Sequence, residues 1–437
     1  MNTPLADQLK DAQQCVMCGM CLPHCPTYGE LRVEGDSPRG RINLMQGLAQ
    51  GRFKPEDPRL RDHIDGCLGC RSCEAICPAQ VPFGKLMDAT RALVRAPAPG
   101  KAGSGGALAA LTRMARGQAF ARPQISALGA LGARWAARLR LGSWLPESTL
   151  LGRTLRHTAP ALNKNRQALT PSQSARQASL TTDAASADAL LFTGCMTPFF
   201  SSADIAAALQ VLEAMGLKVH IPAGQVCCGA MDQHLGYPQA AARLKESNLT
   251  AFFGNLPIIA LDSGCQAELR EYSDGTWRDR AISLPDFLAS LPPERWKRAF
   301  GDTPADSGKL SGEQQPQPTI HPIRIALHLP CTLRNAVRRG AQRRAFYASL
   351  PGVSIVTTHP GTGCCGAGGT AMLTQPAMAD ALGGATLAAL EELQPDLIVS
   401  DNVGCRVHLM AIAEQANRGV PILSGARFLA SRLPSQD

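Results

Sequence analysis

Aromatic residues make up only 5% of the 437-residue chain, so its cores have to be built from aliphatic side chains. No stretch approaches the roughly 18–20 consecutive apolar residues that a bilayer-spanning helix needs. The opening, MNTPLADQLKDAQQC, has no basic stretch leading into an apolar one, so no secretory signal is read. A G-x-G-x-x-G fingerprint between a strand and a helix is also missing, so hydride chemistry on a dinucleotide is expected elsewhere. Acid is nearly absent between Lys101 and Arg156, where nine Lys/Arg face Glu147 alone. With a net charge of +9 for the whole chain, that is a local basic segment, and no nucleic-acid partner is expected.

What is abundant is cysteine, at sixteen residues. Their spacing reads as ligands rather than disulfide staples, and the expected compartment is the cytoplasm. The run C-x2-C-x2-C-x3-C-P occurs twice, at Cys15, Cys18, Cys21, Cys25 and at Cys67, Cys70, Cys73, Cys77, each cysteine displaced by 52 residues. Three closely spaced thiolates wrap one cubane, while the fourth, before proline, ligates the other cluster. Cys15, Cys18, Cys21 and Cys77 are therefore expected to hold one [4Fe–4S] cluster, and Cys67, Cys70, Cys73 and Cys25 a second. Zinc sites use two separated pairs, not three cysteines in seven residues. Between the runs, SPRGRINLMQGL reads as a turn followed by a helix packed through Ile42, Leu44, Met45 and Leu48. Arg39 and Arg41 either offset cluster charge, bind a partner, or sit in water at the helix start.

The other eight cysteines form a second, longer repeat: Cys195, Cys227, Cys228, Cys265, then Cys331, Cys364, Cys365, Cys405, offset by 136, 137, 137 and 140 residues. That drift is the mark of a duplicated domain. In both copies strands alternate with helices, from ADALLFTGC or IRIALHLPC through SSADIAAALQVLEAMG or NAVRRGAQRRAFYASL to PIIALDSGC or DLIVSDNVGC. This predicts parallel α/β layers with the cysteines at the carboxyl ends of strands. Gly229 and Gly366 permit a positive-φ turn that aims adjacent thiols to one side. Inert thiols, a redox disulfide and a metal cluster all remain open for these sets, so all eight are candidate ligands. His328 and His408 lie three residues from Cys331 and Cys405, either beside the site or as structural histidines.

The combination resembles the iron–sulfur subunits of glycolate oxidase, most clearly in SPRGRINLM, CLGCRSCEAICPAQVPFGKLMD, GCCGAGGTAMLTQP and NVGCRVHL. The wider superfamily includes the cysteine-rich subunit of heterodisulfide reductase, the anaerobic glycerol-3-phosphate dehydrogenase small subunit and lactate-utilisation proteins. The resemblance implies a subunit with no catalytic residue of its own. It would carry electrons from FAD-containing glycolate oxidase subunits, acting on glycolate and also D-lactate, directly or indirectly to the quinone pool. A thiol-disulfide reductase subunit, or one serving a glycerol-3-phosphate dehydrogenase, is the alternative. One departure stands out: the heterodisulfide reductase pattern ends in C-x-x-C, and Asp262 and Asn402 occupy the first of those positions. Four thiols per copy remain, so additional clusters there stay an open expectation.

The expected architecture is multidomain: an α-helical ferredoxin-type dicluster domain followed by a duplicated α/β cysteine-rich domain. The expected limits are 1–95, a helical basic linker at 96–187, a first repeat at 188–300, a linker at 301–321 and a second repeat at 322–437. In the basic linker Arg113, Arg116, Arg134, Arg138 and Arg140 alternate with Ala and Leu. That pattern suits partner docking, peripheral contact with the inner face of the cytoplasmic membrane, or a solvated helical cover.

Overall fold

The computed structural model describes residues 7, 9–96, 123–139, 141–145, 149–164, 186–272, 275–301, 322–356 and 363–434. Most of the expected polar linkers, together with Arg113, Arg116 and Arg140, lie outside these residues. Among the described residues no helix is long and apolar enough to cross a membrane.

The N-terminal unit is helical, with α1 (Pro38–Ala49), α2 (Pro58–Asp65) and α3 (Phe83–Arg95) around a core of Ile42, Met45, Leu48, Leu60, Ile64, Leu86 and Met87. Ser37 and Asp57 cap α1 and α2 by accepting from the N–H groups of Gly40 and Arg59, with proline in each first turn. Arg41 does not sit in water: it reaches Thr27, whose Oγ1 lies 3.2 Å from Cys25 Sγ. It is fully buried, and donates to the His63 carbonyl (2.7 Å), Thr27 Oγ1 (3.0 Å) and Asp36 Oδ1 (3.1 Å). A buried guanidinium survives because its donors are matched by acceptors. Arg39 instead pairs with Glu34 at the surface, at 2.8 Å.

A helical layer follows: α4 (Pro123–Arg138), α5 (Leu141–Trp144) and α6 (Leu150–Lys164). Its inner side buries Ala137, Ala161 and Leu162 against Phe199, Phe200, Val403 and Val407.

Each cysteine-rich repeat is a four-stranded parallel sheet. The first comprises β1 (Ala189–Phe192), β2 (Val219–His220), β3 (Ile258–Ala260) and β4 (Ala281–Ser283), in the order β2-β1-β3-β4. The second, β5 (Ile323–His328), β6 (Val353–Val356), β7 (Leu397–Ser400) and β8 (Ile422–Leu423), repeats that order as β6-β5-β7-β8. Its helices in chain order are α7 (Met196–Phe200), α8 (Ser202–Ala214), α9 (Pro238–Ala251), α10 (Ser263–Leu269) and α11 (Leu284–Ser290) in the first repeat. The second has α12 (Gly340–Ala348), α13 (Pro376–Glu391), α14 (Val403–Gln415) and α15 (Gly425–Ala430). The segment expected as one helix from Asn335 is broken: a π-helical turn, Thr332–Val337, ends at Arg338 in the left-handed region (φ 59°) before α12 begins.

Strand side chains alternate between two faces. Leu191 and Ile259 of one sheet meet Ile325 and Val399 of the other in a single shared core, while Leu190 and Ile258, or Ala326 and Ile398, face separate outer cores. The helices cross over accordingly: α8 packs on α15 and α11 on α12. The repeats are thus joined about an approximate two-fold axis. Arg343 bridges the two repeats, fully buried and bound to Asp286 (3.3 Å) from the first and to Asp401 of its own.

Candidate metal centres

The paired runs share one backbone conformation. Met17 and Gly69, 52 residues apart, both have positive φ (56° and 63°), and so do Gly19 and Arg71 (80° and 56°). Glycine and non-glycine trade places, so the turn is imposed by the loop and not by glycine alone. Backbone N–H groups point at sulfur: Gly69 N–H lies 3.4 Å from Cys67 Sγ, and those of Arg39, at the start of α1, and Ser72 face Cys21 and Cys70. Cys25 lies within electrostatic reach of Cys70 and Cys73, across from its own run. The first run is open to solvent, with Cys18 exposed and Val16 at 71% and Met20 at 53% exposure.

In each repeat all four cysteines converge. Cys195 and Cys227 Sγ are 3.4 Å apart, and Cys228 lies beside Cys227 and Cys265. Cys331 is linked to Cys364, Cys364 to Cys365, and Cys365 to Cys405 at 2.6 Å. The positive-φ glycines allow this: Gly229 (86°) and Gly366 (80°) follow each cysteine pair, and a Cβ on Gly366 would lie 2.2 Å from the Ala379 carbonyl oxygen. Cys195 precedes α7 and Cys331 the π-helical turn, while Cys265 and Cys405 lie in the first turns of α10 and α14, beyond the strand ends where they were expected.

The Asp262 and Asn402 departures have a structural explanation, since both are helix caps. Asp262 Oδ1 accepts from Gly264 (2.7 Å) and Cys265 (3.1 Å), and its Oδ2 from Val403 of the other repeat (2.6 Å). Asn402 Oδ1 accepts from the Cys405 N–H at 2.9 Å. Burial pushes the Asp262 carboxyl up, against these backbone donors.

The electrostatics fit a cationic guest. Donation to Cys364 and burial push Cys331 up, and burial with thiol neighbours does the same to Cys70 and Cys73. Cys227 is the exception, held down by its bonds to Cys195 and Cys228. Four converging thiols cannot all ionise in such surroundings without positive charge, which bound iron supplies.

One feature beside the thiols has no counterpart in the first repeat. A ring nitrogen of His328 lies within 4.8 Å of Cys365 and Cys405 Sγ. His408 belongs elsewhere: its Nδ1 meets His157 Nε2 of α6 at 2.6 Å, and its Nε2 faces the Ala379 carbonyl at 2.9 Å, with Asp380 nearby. The second repeat also receives the N-terminal unit. Asn335 donates to the Cys70 carbonyl at 2.7 Å, Cys70 packs with Leu68, Cys364 and Leu382, and Cys70 and Cys331 sense each other's charge. The first repeat meets α3, where Arg91 and Arg95 donate to the carbonyls of His234 (2.9 Å) and Leu235 (3.1 Å).

A 4Fe–4S dicluster domain model matches residues 11–81, and a cysteine-rich domain model matches twice, at 189–270 and 325–410. The chain is an iron–sulfur electron-transfer protein. It has an N-terminal helical dicluster domain and a duplicated α/β cysteine-rich domain. It is 29% identical over 420 residues to the glycolate oxidase iron–sulfur subunit of Escherichia coli (strain K12), covering 92% of this chain and 91% of that one. A probable glycolate oxidase iron–sulfur subunit of Bacillus subtilis (strain 168) is 28% identical, with 90% and 87% coverage. Lactate utilization protein A of the same organism is 22% identical over 55% of this chain and 98% of its own.

Sequence reasoning missed the His157–His408 pair, the burial of Arg41, the fourth strand of each sheet and the docking of Cys70 beside Cys331. Only the fourth strands had a local signal, in the short apolar AIS and PIL segments next to Ser-Leu-Pro and Ser-Gly.

Proposed function

We propose that this protein is the electron-transfer subunit of a complex oxidising a 2-hydroxy acid, glycolate and also D-lactate, and that it takes electrons from an FAD-containing partner. The exposed first run, around Cys18, Val16 and Met20, is the entry. The observation that carries the reading is the adjacency of Cys70 to Cys331 and Cys364, which connects the dicluster domain to the second repeat through one small apolar cluster. The likeness in near-full length to glycolate oxidase iron–sulfur subunits supports the substrate class. Two [4Fe–4S] clusters, on Cys15, Cys18, Cys21 and Cys77 and on Cys67, Cys70, Cys73 and Cys25, supply one-electron carriers when bound. The protein's part is to space the thiols, aim N–H groups at them, and leave the first run open at Cys18.

Low-temperature EPR of the anaerobically purified complex tests this. Glycolate is expected to elicit reduced-cluster signals at a catalytically competent rate. Reduction by dithionite but not by glycolate or D-lactate, with flavoprotein partners present, removes the substrate assignment and turns attention to glycerol 3-phosphate and disulfides.

The acceptor side is the quinone pool, reached at the cytoplasmic face of the membrane, and the outer side of the helical layer supports contact there. Leu131 and Trp135 (62% exposed) of α4 and Leu139 just beyond it recur every four residues, joined by Leu141, Trp144 (83%) and Leu151. Arg138 lies over the Trp135 ring at 5.9 Å. Exposed Trp and Leu among arginines suit an anionic lipid surface. The protein should sediment with anionic phospholipid vesicles, and Trp135→Ser with Trp144→Ser should weaken this at least several-fold. Equal binding to neutral phosphatidylcholine, or none to either, counts against lipid contact.

A further inference from the structure

The two repeats share strand order, cysteine positions and capping scheme, so a difference at an equivalent position beside the thiols is informative. Three residues before the first cysteine of each set stand Phe192 and His328. The strand register confirms their equivalence and identifies their neighbours: Phe192 is paired with Ala260 across β1 and β3, and His328 with Ser400 across β5 and β7. Both members of the pair change together, from apolar to polar. In the first repeat the phenyl ring packs against Phe252, with ring centroids 5.7 Å apart, in a core that includes Cys228. In the second, the imidazole is 3% exposed, and its Nδ1 is 2.8 Å from Ser400 Oγ.

An imidazole in a sheet interior is costly unless its nitrogens are used. Ser400, itself fully buried, engages Nδ1 and fixes the ring, which leaves Nε2 to serve the thiols. A hydrogen-bonded second partner that orients a histidine is the usual arrangement at a metal-ligating imidazole. A ring nitrogen lies within 4.8 Å of both Cys365 and Cys405 Sγ.

We propose that His328 is an additional donor in the second repeat, which is therefore a mixed imidazole–thiolate centre, while the first repeat offers thiolates alone. The inference rests on the reading that this repeat binds an iron–sulfur cluster. Its consequence is directional. With the neutral imidazole on an iron position that an anionic thiolate takes in the first repeat, the cluster of the second repeat has the higher reduction potential. The repeat beside Cys70 is thereby the better electron acceptor of the two, and Ser400 acts as a positioning residue.

The test uses the full-length chain, purified anaerobically with 15N-histidine, with iron and sulfide counted and pulsed EPR recorded at graded reduction. The expected result is iron above the roughly eight atoms per chain of two cubanes, and a 15N coupling lost in His328→Phe while the signals of the paired runs persist. The signal that carried the coupling should shift to lower potential in that variant. Excess iron with no coupling, or with one indifferent to His328→Phe, overturns the ligand assignment but leaves the cluster reading intact. Iron for two cubanes only removes the cluster reading and the proposal with it. If His328→Phe fails to fold, the double exchange Phe192→His with Ala260→Ser in the first repeat should introduce a new 15N coupling there, and its absence under excess iron counts against the assignment.

Discussion

At the scale of single residues, Asp262 shows how a change of residue type can change a role. Where the resemblance would place a ligand, the carboxylate caps α10 and α14 at once, accepting from Gly264, Cys265 and Val403. Asp262→Ala would leave three N–H groups near the thiols without this acceptor, at a cost of about 1–3 kcal/mol. Chemical denaturation of the full chain measures this, and a loss within error of zero would mean water replaces the carboxylate at no cost. Arg41 is a second case. Its sequence neighbourhood reads as a charged helix start, yet its partners Thr27, Asp36 and His63 come from separate turns. Tertiary partners of that kind leave no trace in local pattern.

At the scale of elements, strand and helix order was legible because period and punctuation were unambiguous. Buried runs such as ALLF and LIVS end in Gly or Asn turns, and long Ala/Leu-rich segments follow Pro at α9 and α13. The helix expected from Asn335 fails because its first turn is spent as a π-helical cap on Cys331, ended by left-handed Arg338. Contacts between elements were not legible, and one of them titrates. Asp88 of α3 meets His234 Nδ1 at 3.0 Å. Burial opposes charge on this imidazole, but the carboxylate prevails and its pKa is raised above 6.5. The contact therefore contributes fully below about pH 6.5 and is lost as pH rises through the raised value. Hydrogen exchange along α3 should be slower in the native protein than in Asp88→Asn at about pH 6, with the difference gone by about pH 9. A difference independent of pH would mean that the pair acts without charge.

At the scale of the whole molecule, the dicluster domain is clamped on both repeats, and close backbone approach fixes its distance from the second. A Cβ on Gly368 would lie 2.5 Å from the Leu68 carbonyl oxygen. Gly368→Ala has to open that contact, which lengthens the gap between the paired runs and the second repeat. Dithionite titration should find the paired runs reduced as before, with slower equilibration into the second repeat. Unchanged kinetics would show that electrons leave by another route. The cysteine spacings announced the ligands and the duplication, but which repeat the paired runs touch depends on Asn335, Leu68 and Gln375 meeting across more than 260 residues of chain.

The shared core has a consequence for how the protein is made. Leu191 and Ile259 are covered by Ile325 and Val399, and α8 by α15, which ends at Ala430. During synthesis the first repeat therefore waits, with one sheet face bare, until Ala430 has left the ribosome. Its thiols and those of the paired runs emerge long before their surroundings close. The interval before closure is accordingly the one in which those thiols are open to a chaperone or a cluster-assembly scaffold.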